Sequence, residues 1–223
     1  MTKKIALPRA TRPAAALAAF AMACFAGFAG FAGSAQAASV LDEWDKIALP
    51  AKPQAVPVAV DKTSTALLVL DMQPQTCNEQ RRPRCLPTKA AVAALVKKAR
   101  AAGAPVVYSL IRNSSPADIF PELGYKEGDP YVAASVDKFL GTDLAAILAA
   151  KGIKTVIVTG TAAHGAVLHT ATGAAQRGLS IIVPADAISA EDAFTEAAVL
   201  WCLTTGPASK DKVTVSSAGK IGF

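Results

Sequence analysis

The segment Thr155-Val156-Ile157-Val158-Thr159 is apolar through its centre and has no alternating polar face. A strand of that kind has to be covered on both sides, the condition met by a parallel sheet lying between helices. It breaks at Gly160, and an Ala-rich helix follows over about 166–177, ending at Arg177-Gly178. The unit recurs along the chain. Thr65–Asp71, Pro105–Leu110 and Leu179–Pro184 are further continuous strands, Ser135–Lys138 is predicted as a short one and Lys212–Ser216 as the last. Between them, Lys89–Ala102 puts Val92, Leu95, Val96 and Ala99 on one helical face before Gly103. Thr142 caps a helix to Ala150, and Glu191–Thr204 is helical up to Gly206-Pro207. The pattern predicts an α/β fold: a single-domain, Rossmann-like three-layer sandwich around a mostly parallel sheet of about six strands.

The ends have a different composition. Lys3, Lys4, Arg9 and Arg12 precede an uncharged run of Ala, Phe, Gly and Leu from Ala14 to Gly33, and Ala35-Gln36-Ala37 follows. A basic start, an apolar stretch and a small-x-small site predict a secretory signal peptide over 1–37. Its Ala and Gly content is only mildly hydrophobic, which favours cleavage over retention as a membrane anchor. The expected product is exported, periplasmic or secreted, and free of the membrane. A Pro-rich extended arm over 38–63 then leads into the domain at 64–223. The chain has 23 Lys and Arg against 17 Asp and Glu; without the four basic residues before Ala38 the balance is 19 against 17. No basic face with interleaved aromatics remains, so nucleic acid is not an expected partner. Cys77 and Cys85 share one polar, Arg- and Pro-rich loop, where an oxidising compartment favours a disulfide over two free thiols. Cys202, in an apolar helix, is expected to be a packed thiol.

In open parallel sheets, ligands bind beyond the carboxyl ends of the strands, near the reversal of strand order. Asp71, Lys138 and the stretch Gly160–Ala166 all lie at such ends. A carboxylate closing an apolar strand is costly unless paired or hydrogen-bonded. A strand that runs into a helix N-terminus is also a common position for a nucleophile. Here the first turn offers only Gly165 and Ala166, neither of which can attack anything.

Three pieces, in order and at matching spacing, resemble the isochorismatase-like family, also called cysteine hydrolases. They are Leu70-Asp71-Met72-Gln73 after the first strand, Asp137-Lys138 before Gly141-Thr142-Asp143-Leu144, and Thr159-Gly160 followed by Thr170-Ala171. The resemblance spans roughly 64–215. It implies that Asp71 and Lys138 belong to an Asp-Lys-Cys triad whose cysteine position is occupied by Ala166. It implies a non-proline cis peptide at Thr161-Ala162, with Thr161, Ala162, Gly165 and Ala166 around an oxyanion site. The segment Ala163-His164-Gly165-Ala166 is closer to the members that lack the cysteine and hydrolyse a vinyl ether by acid/base chemistry. Only Phe139-Leu140 separate Lys138 from Gly141, a shorter loop than the family's. His164, His169 and Gln73 are candidate pocket residues. The family's metal-binding amidases carry an Asp/His cluster after the first strand; 75–87 has neither residue, so no metal and no cofactor is expected. The implied protein is a homo-oligomeric hydrolase of a small, anionic molecule without a cysteine nucleophile. The alternative is an inactive member that binds a small molecule. A third reading, a replaced cysteine in an amidase, is opposed by the neighbours His164 and Gly165.

Overall fold

A computed structural model describes residues 39–223. The expected signal peptide over 1–37 lies outside the described residues. Contacts divide the chain into a unit ending at Ala48, whose described part holds the short 3-10 turn Trp44–Lys46, and a unit from Leu49 to Phe223. Part of the expected arm therefore belongs to the second unit, where β1 (Val58–Ala59) pairs in parallel with the C-terminal β9 (Ile221–Gly222).

The main sheet has seven strands, all paired in parallel. β2 (Thr65–Leu70) is central. β3 (Val106–Leu110) and β4 (Tyr131–Ala133) extend the sheet on one side. β5 (Thr155–Thr161), β6 (Ser180–Pro184) and β8 (Val213–Ser216) extend it on the other, and the two-residue β7 (Ile188–Ser189) joins the end of β5. Strand order reverses between β2 and β5, so the crevice that favours ligands opens where Asp71 follows one and Ala162–Ala166 follows the other.

Every residue of β2 is buried, because both faces are covered. Leu67 and Val69 point to the layer of α1 (Cys85–Ala102), with Val92, Leu95 and Val96. Ala66, Leu68 and Leu70 point to the opposite layer of α2 (Leu144–Ala150), α3 (Leu168–Gln176) and α4 (Ala193–Thr205). Gly160 is fixed by the approach of β5 to β2: its φ is +115°, and a Cβ there would lie 2.1 Å from the carbonyl oxygen of Leu70.

Three local expectations need correction. The predicted strand Ser135–Lys138 is a bend and turn; the edge strand lies earlier, at Tyr131–Ala133, paired with Tyr108–Leu110. At three residues it is too short to show a strand period in the sequence. β5 does not stop at Thr159 but continues to Thr161, because β7 pairs with Gly160 and Thr161. The next helix opens with one turn of π-helix, Ala163–Val167, before α3. π-turns of this kind occur often at functional sites.

Candidate functional site

Asp71 stands one residue beyond β2 with φ +51°, a conformation that costs a non-glycine residue about 1 kcal/mol or more and must be held by its surroundings. The holding groups are visible. Its N–H lies 3.1 Å from the carbonyl of Ser109 on β3, its carbonyl accepts from Gln73 N–H at 3.1 Å, and the Thr76 hydroxyl also donates to that carbonyl. The carboxylate is 5% exposed. Its Oδ1 accepts from the Ser109 hydroxyl at 2.7 Å, and its Oδ2 lies 2.7 Å from Lys138 Nζ.

Lys138 is fully buried, and its ammonium has three acceptors: Asp71, the carbonyl of Ala134 at 3.2 Å and that of Ser135 at 2.6 Å. Three donors meet three acceptors, which is what makes a buried ammonium tolerable. The short loop that carries it is moored to α3. Lys138 N–H donates to the Thr170 hydroxyl at 3.2 Å, and Phe139 stacks under the Arg177 guanidinium at 4.4 Å. Gly173 leaves room for this contact: a Cβ there would sit 3.1 Å from Asp137 Oδ1 and 3.2 Å from the Phe139 ring. Burial, the largest influence, raises the Asp71 carboxyl above its ordinary range, while Lys138, Ser109 and Arg82 pull it down. The close ion pair favours the charged form and the desolvation opposes it; the net direction is upward.

Asp71 forms the floor of a cavity of roughly 490 Å³. Thr161, Ala162, His164, Gly165 and Ala166 also line it. The Thr161–Ala162 peptide is cis, and the Ala162 carbonyl accepts the N–H groups of Gly165 and Val167, which seats the first helical turn. Ala166 is buried in that turn. Lys138 lies behind Asp71 and is not itself part of the lining.

Two candidates are not brought to the cavity. Gln73 is fully buried and serves the scaffold: its amide donates to Ser114 at 2.8 Å and accepts from Ile111 N–H at 3.1 Å. His169 is exposed on α3, away from the lining. The cavity instead includes three arginines that sequence reasoning missed: Arg81, Arg82 and Arg112. Arg81 and Arg82 lie in the loop closed by a disulfide between Cys77 and Cys85, whose sulfurs are buried. The available signal was an Arg-Arg pair between two cysteines a few residues after Asp71. Among the described residues, no three His, Cys, Asp or Glu side chains converge as a metal site would require.

Residues 65–208 match the model of the isochorismatase domain. The secreted isochorismatase effector Isc1 of Verticillium dahliae is 35% identical over 112 aligned positions, which cover 45% of this chain and 59% of that one. The chain thus spans under two thirds of that relative's length. A cysteine hydrolase from Pseudomonas syringae pv. phaseolicola shares the fold, with a TM-score of 0.64 at 21% identity over 76% of this chain and 96% of the other. The N-carbamoylsarcosine amidase of Thermoplasma acidophilum superposes with a TM-score of 0.60 at 26% identity, over 70% and 96% of the two chains. The domain match covers well over half of the sequence, on the fold that surrounds this cavity: the chain belongs to the isochorismatase family.

Proposed function

We propose that the protein is an exported hydrolase of a small, anionic enol ether, acting by acid/base chemistry without a cysteine nucleophile. The observation that supports this reading is a buried carboxyl, raised by desolvation, facing a cavity lined by Ala166, the residue that the family resemblance aligns with the nucleophile. Protonated Asp71 gives its proton to the terminal vinyl carbon, and the ether oxygen shares the resulting positive charge as an oxocarbenium ion. Water adds to the cationic carbon and returns a proton to Asp71. The hemiketal then loses its alcohol, leaving a ketone. Lys138 holds the carboxylate produced in the first step. The arginines at the cavity support an anionic substrate. Export is supported by the N-terminal sequence, by the disulfide and by likeness to a secreted relative.

The test is hydrolysis of carboxylate-bearing vinyl ethers, including isochorismate, for which the family is named. Asp71→Asn removes the proton donor and is expected to lower turnover about 10²–10⁴-fold while the circular dichroism spectrum is kept. The wild-type rate should fall as pH rises through the raised carboxyl's titration, since the acid form is the reactive one. Unchanged turnover in Asp71→Asn refutes the assignment. The withdrawal of Lys138 behind Asp71 favours the second reading, a binding protein, which predicts ligand affinity with no turnover of any vinyl ether. For export, the mature protein should begin at Ala38 by mass spectrometry; a secreted chain that retains Lys3–Ala37 contradicts the cleavage site.

A further inference from the structure

The cavity lining holds two chemically different sets of side chains. At its floor, Asp71 is satisfied by Ser109 and Lys138. Elsewhere in the lining are three guanidinium groups. Arg81 and Arg112 are exposed and have no carboxylate partner among the described residues. Arg82 is only 7% exposed. Its Nη1 donates to the Thr76 carbonyl at 3.1 Å, and its Nε lies 2.8 Å from Glu191 Oε1. That close ion pair fixes the Arg82 guanidinium in the cavity lining. Arg81 and Arg112 are therefore the guanidinium groups of the lining whose charge no carboxylate among the described residues offsets, and a ligand anion can supply that partner.

The backbone that presents these groups is unusually constrained. The Cys77–Cys85 bond closes the segment, and Asn78 Oδ1 accepts the N–H groups of Gln80 and Arg81 at 3.1 and 2.8 Å. Arg84 forks onto Glu196 of α4 with contacts of 2.9 and 2.6 Å, and Glu191 joins Arg82 on one side while its other oxygen lies 3.6 Å from His164 Nδ1. A loop held at its base and on both flanks loses little entropy when a ligand docks.

We propose that Arg81, Arg82 and Arg112 form an anion subsite for a carboxylate or phosphate group of the ligand, distinct from the Asp71–Lys138 pair, and that the Cys77–Cys85 disulfide positions two of its three arginines. The inference rests on the reading of this cavity as the reaction site. It makes the three arginines determinants of specificity and the disulfide a positioning device. They set affinity, and the floor pair sets turnover. The planar guanidinium fork matches either oxyanion, and the two are separated by the probe used.

The experiment measures binding of fumarate and of inorganic phosphate by calorimetry to the oxidised mature protein, to Arg81→Gln/Arg82→Gln, to Cys77→Ser/Cys85→Ser, and to Lys98→Gln as a control in a remote cleft. Loss of one or two charge-assisted contacts should weaken the preferred anion by about tenfold or more in the arginine variant. The cysteine variant should weaken it by a smaller factor, and Lys98→Gln should not. With a turned-over substrate, KM should rise in both site variants while kcat stays near wild type. Absence of anion binding by the wild type, or equal affinity in the arginine variant, overturns the subsite. Equal affinity in a folded cysteine variant overturns the role of the disulfide. If that variant does not fold, the arginine variant, with its disulfide intact, decides. Vinyl-ether hydrolysis with affinity indifferent to the arginines leaves the proposed function standing and this inference refuted. Arginine-dependent binding without hydrolysis does the reverse.

Discussion

Replacing Lys138 by Met tests the buried pair without needing a substrate. The side chain is fully buried and nearly isosteric with Met, so little packing is lost. What goes is the ammonium and its contacts with Asp71, Ala134 and Ser135. Removing one partner of a buried ion pair costs about 3–5 kcal/mol, because the other charge is stranded. Asp71 has an escape: it can take up a proton. Its folded carboxyl is already raised by burial, and losing Lys138, the largest opposing influence, raises it further. A group raised in the folded state favours the fold below its unfolded value, about 3.9, and that contribution is lost as pH rises through the folded value. The variant should therefore lie closest to wild type at acidic pH and fall behind it as pH rises toward 8, the full cost appearing once the folded carboxyl is ionised. At about 2–4 °C per kcal/mol for a domain of this size, the Tm deficit at pH 8 is about 6–20 °C. Thermal melts followed by circular dichroism across this range, repeated in the Asp71→Asn background, measure it. The pH dependence should disappear in that background. A deficit of the same size at every pH, or none at pH 8, would refute the coupling.

Two further perturbations probe the rest of the site. Ala166→Cys places a thiol in the cavity wall at the start of a helix, facing the Asp71 floor; it should be alkylated near neutral pH much faster than Cys202, because a helix N-terminus and a nearby cation lower a thiol's pKa below about 8.5. Equal rates at the two cysteines, measured by peptide mass mapping, would mean that the wall does not activate a nucleophile. Cys77→Ser/Cys85→Ser opens a loop with a sequence separation of 8, which the chain-entropy relation values at about 2.5 kcal/mol. Urea unfolding should show that loss, and a midpoint within error of wild type would argue against it.

The layered fold was legible because its strands are continuous apolar runs: β2 and β5 could be buried on both faces only in a parallel sheet between helices. The Asp71 and Gly160–Ala166 ends followed from the topology of such a sheet. Other features were not legible because they depend on contacts far apart in sequence. Ser109 is an ordinary strand residue until β3 lies beside β2 and its hydroxyl meets Asp71. Glu191 reaches Arg82 only after β7 returns to β5. The misplaced third strand has the same origin: Tyr131–Ala133 is a three-residue edge strand, too short to show a period, and its pairing with Tyr108–Leu110 defines it. Lys138 was found by motif, but its withdrawal from the cavity depends on Thr170 and Gly173 of α3, which determine how the short loop seats.

The residue at position 166 decides which protonation state of Asp71 is useful. Beside a thiol, the carboxylate must be ionised to accept the thiol's proton, and Lys138 serves that state. Beside Ala166 there is no thiol proton to accept, and in the proposed reaction the carboxyl acts first as a donor, which requires the neutral form. Burial favours that form, and the net direction at Asp71 is upward despite an ammonium at 2.7 Å. The same floor therefore suits base chemistry with a cysteine above it and acid chemistry without one, and the change needs no movement of Asp71 or Lys138. Substrate charge bears on the outcome as well: an anionic group held in the cavity further disfavours the Asp71 carboxylate by like-charge repulsion. Under the proposed function this effect comes from the substrate's own charge, whichever residues hold it, so a neutral vinyl ether is expected to turn over more slowly than an anionic one, while the arginines act on affinity.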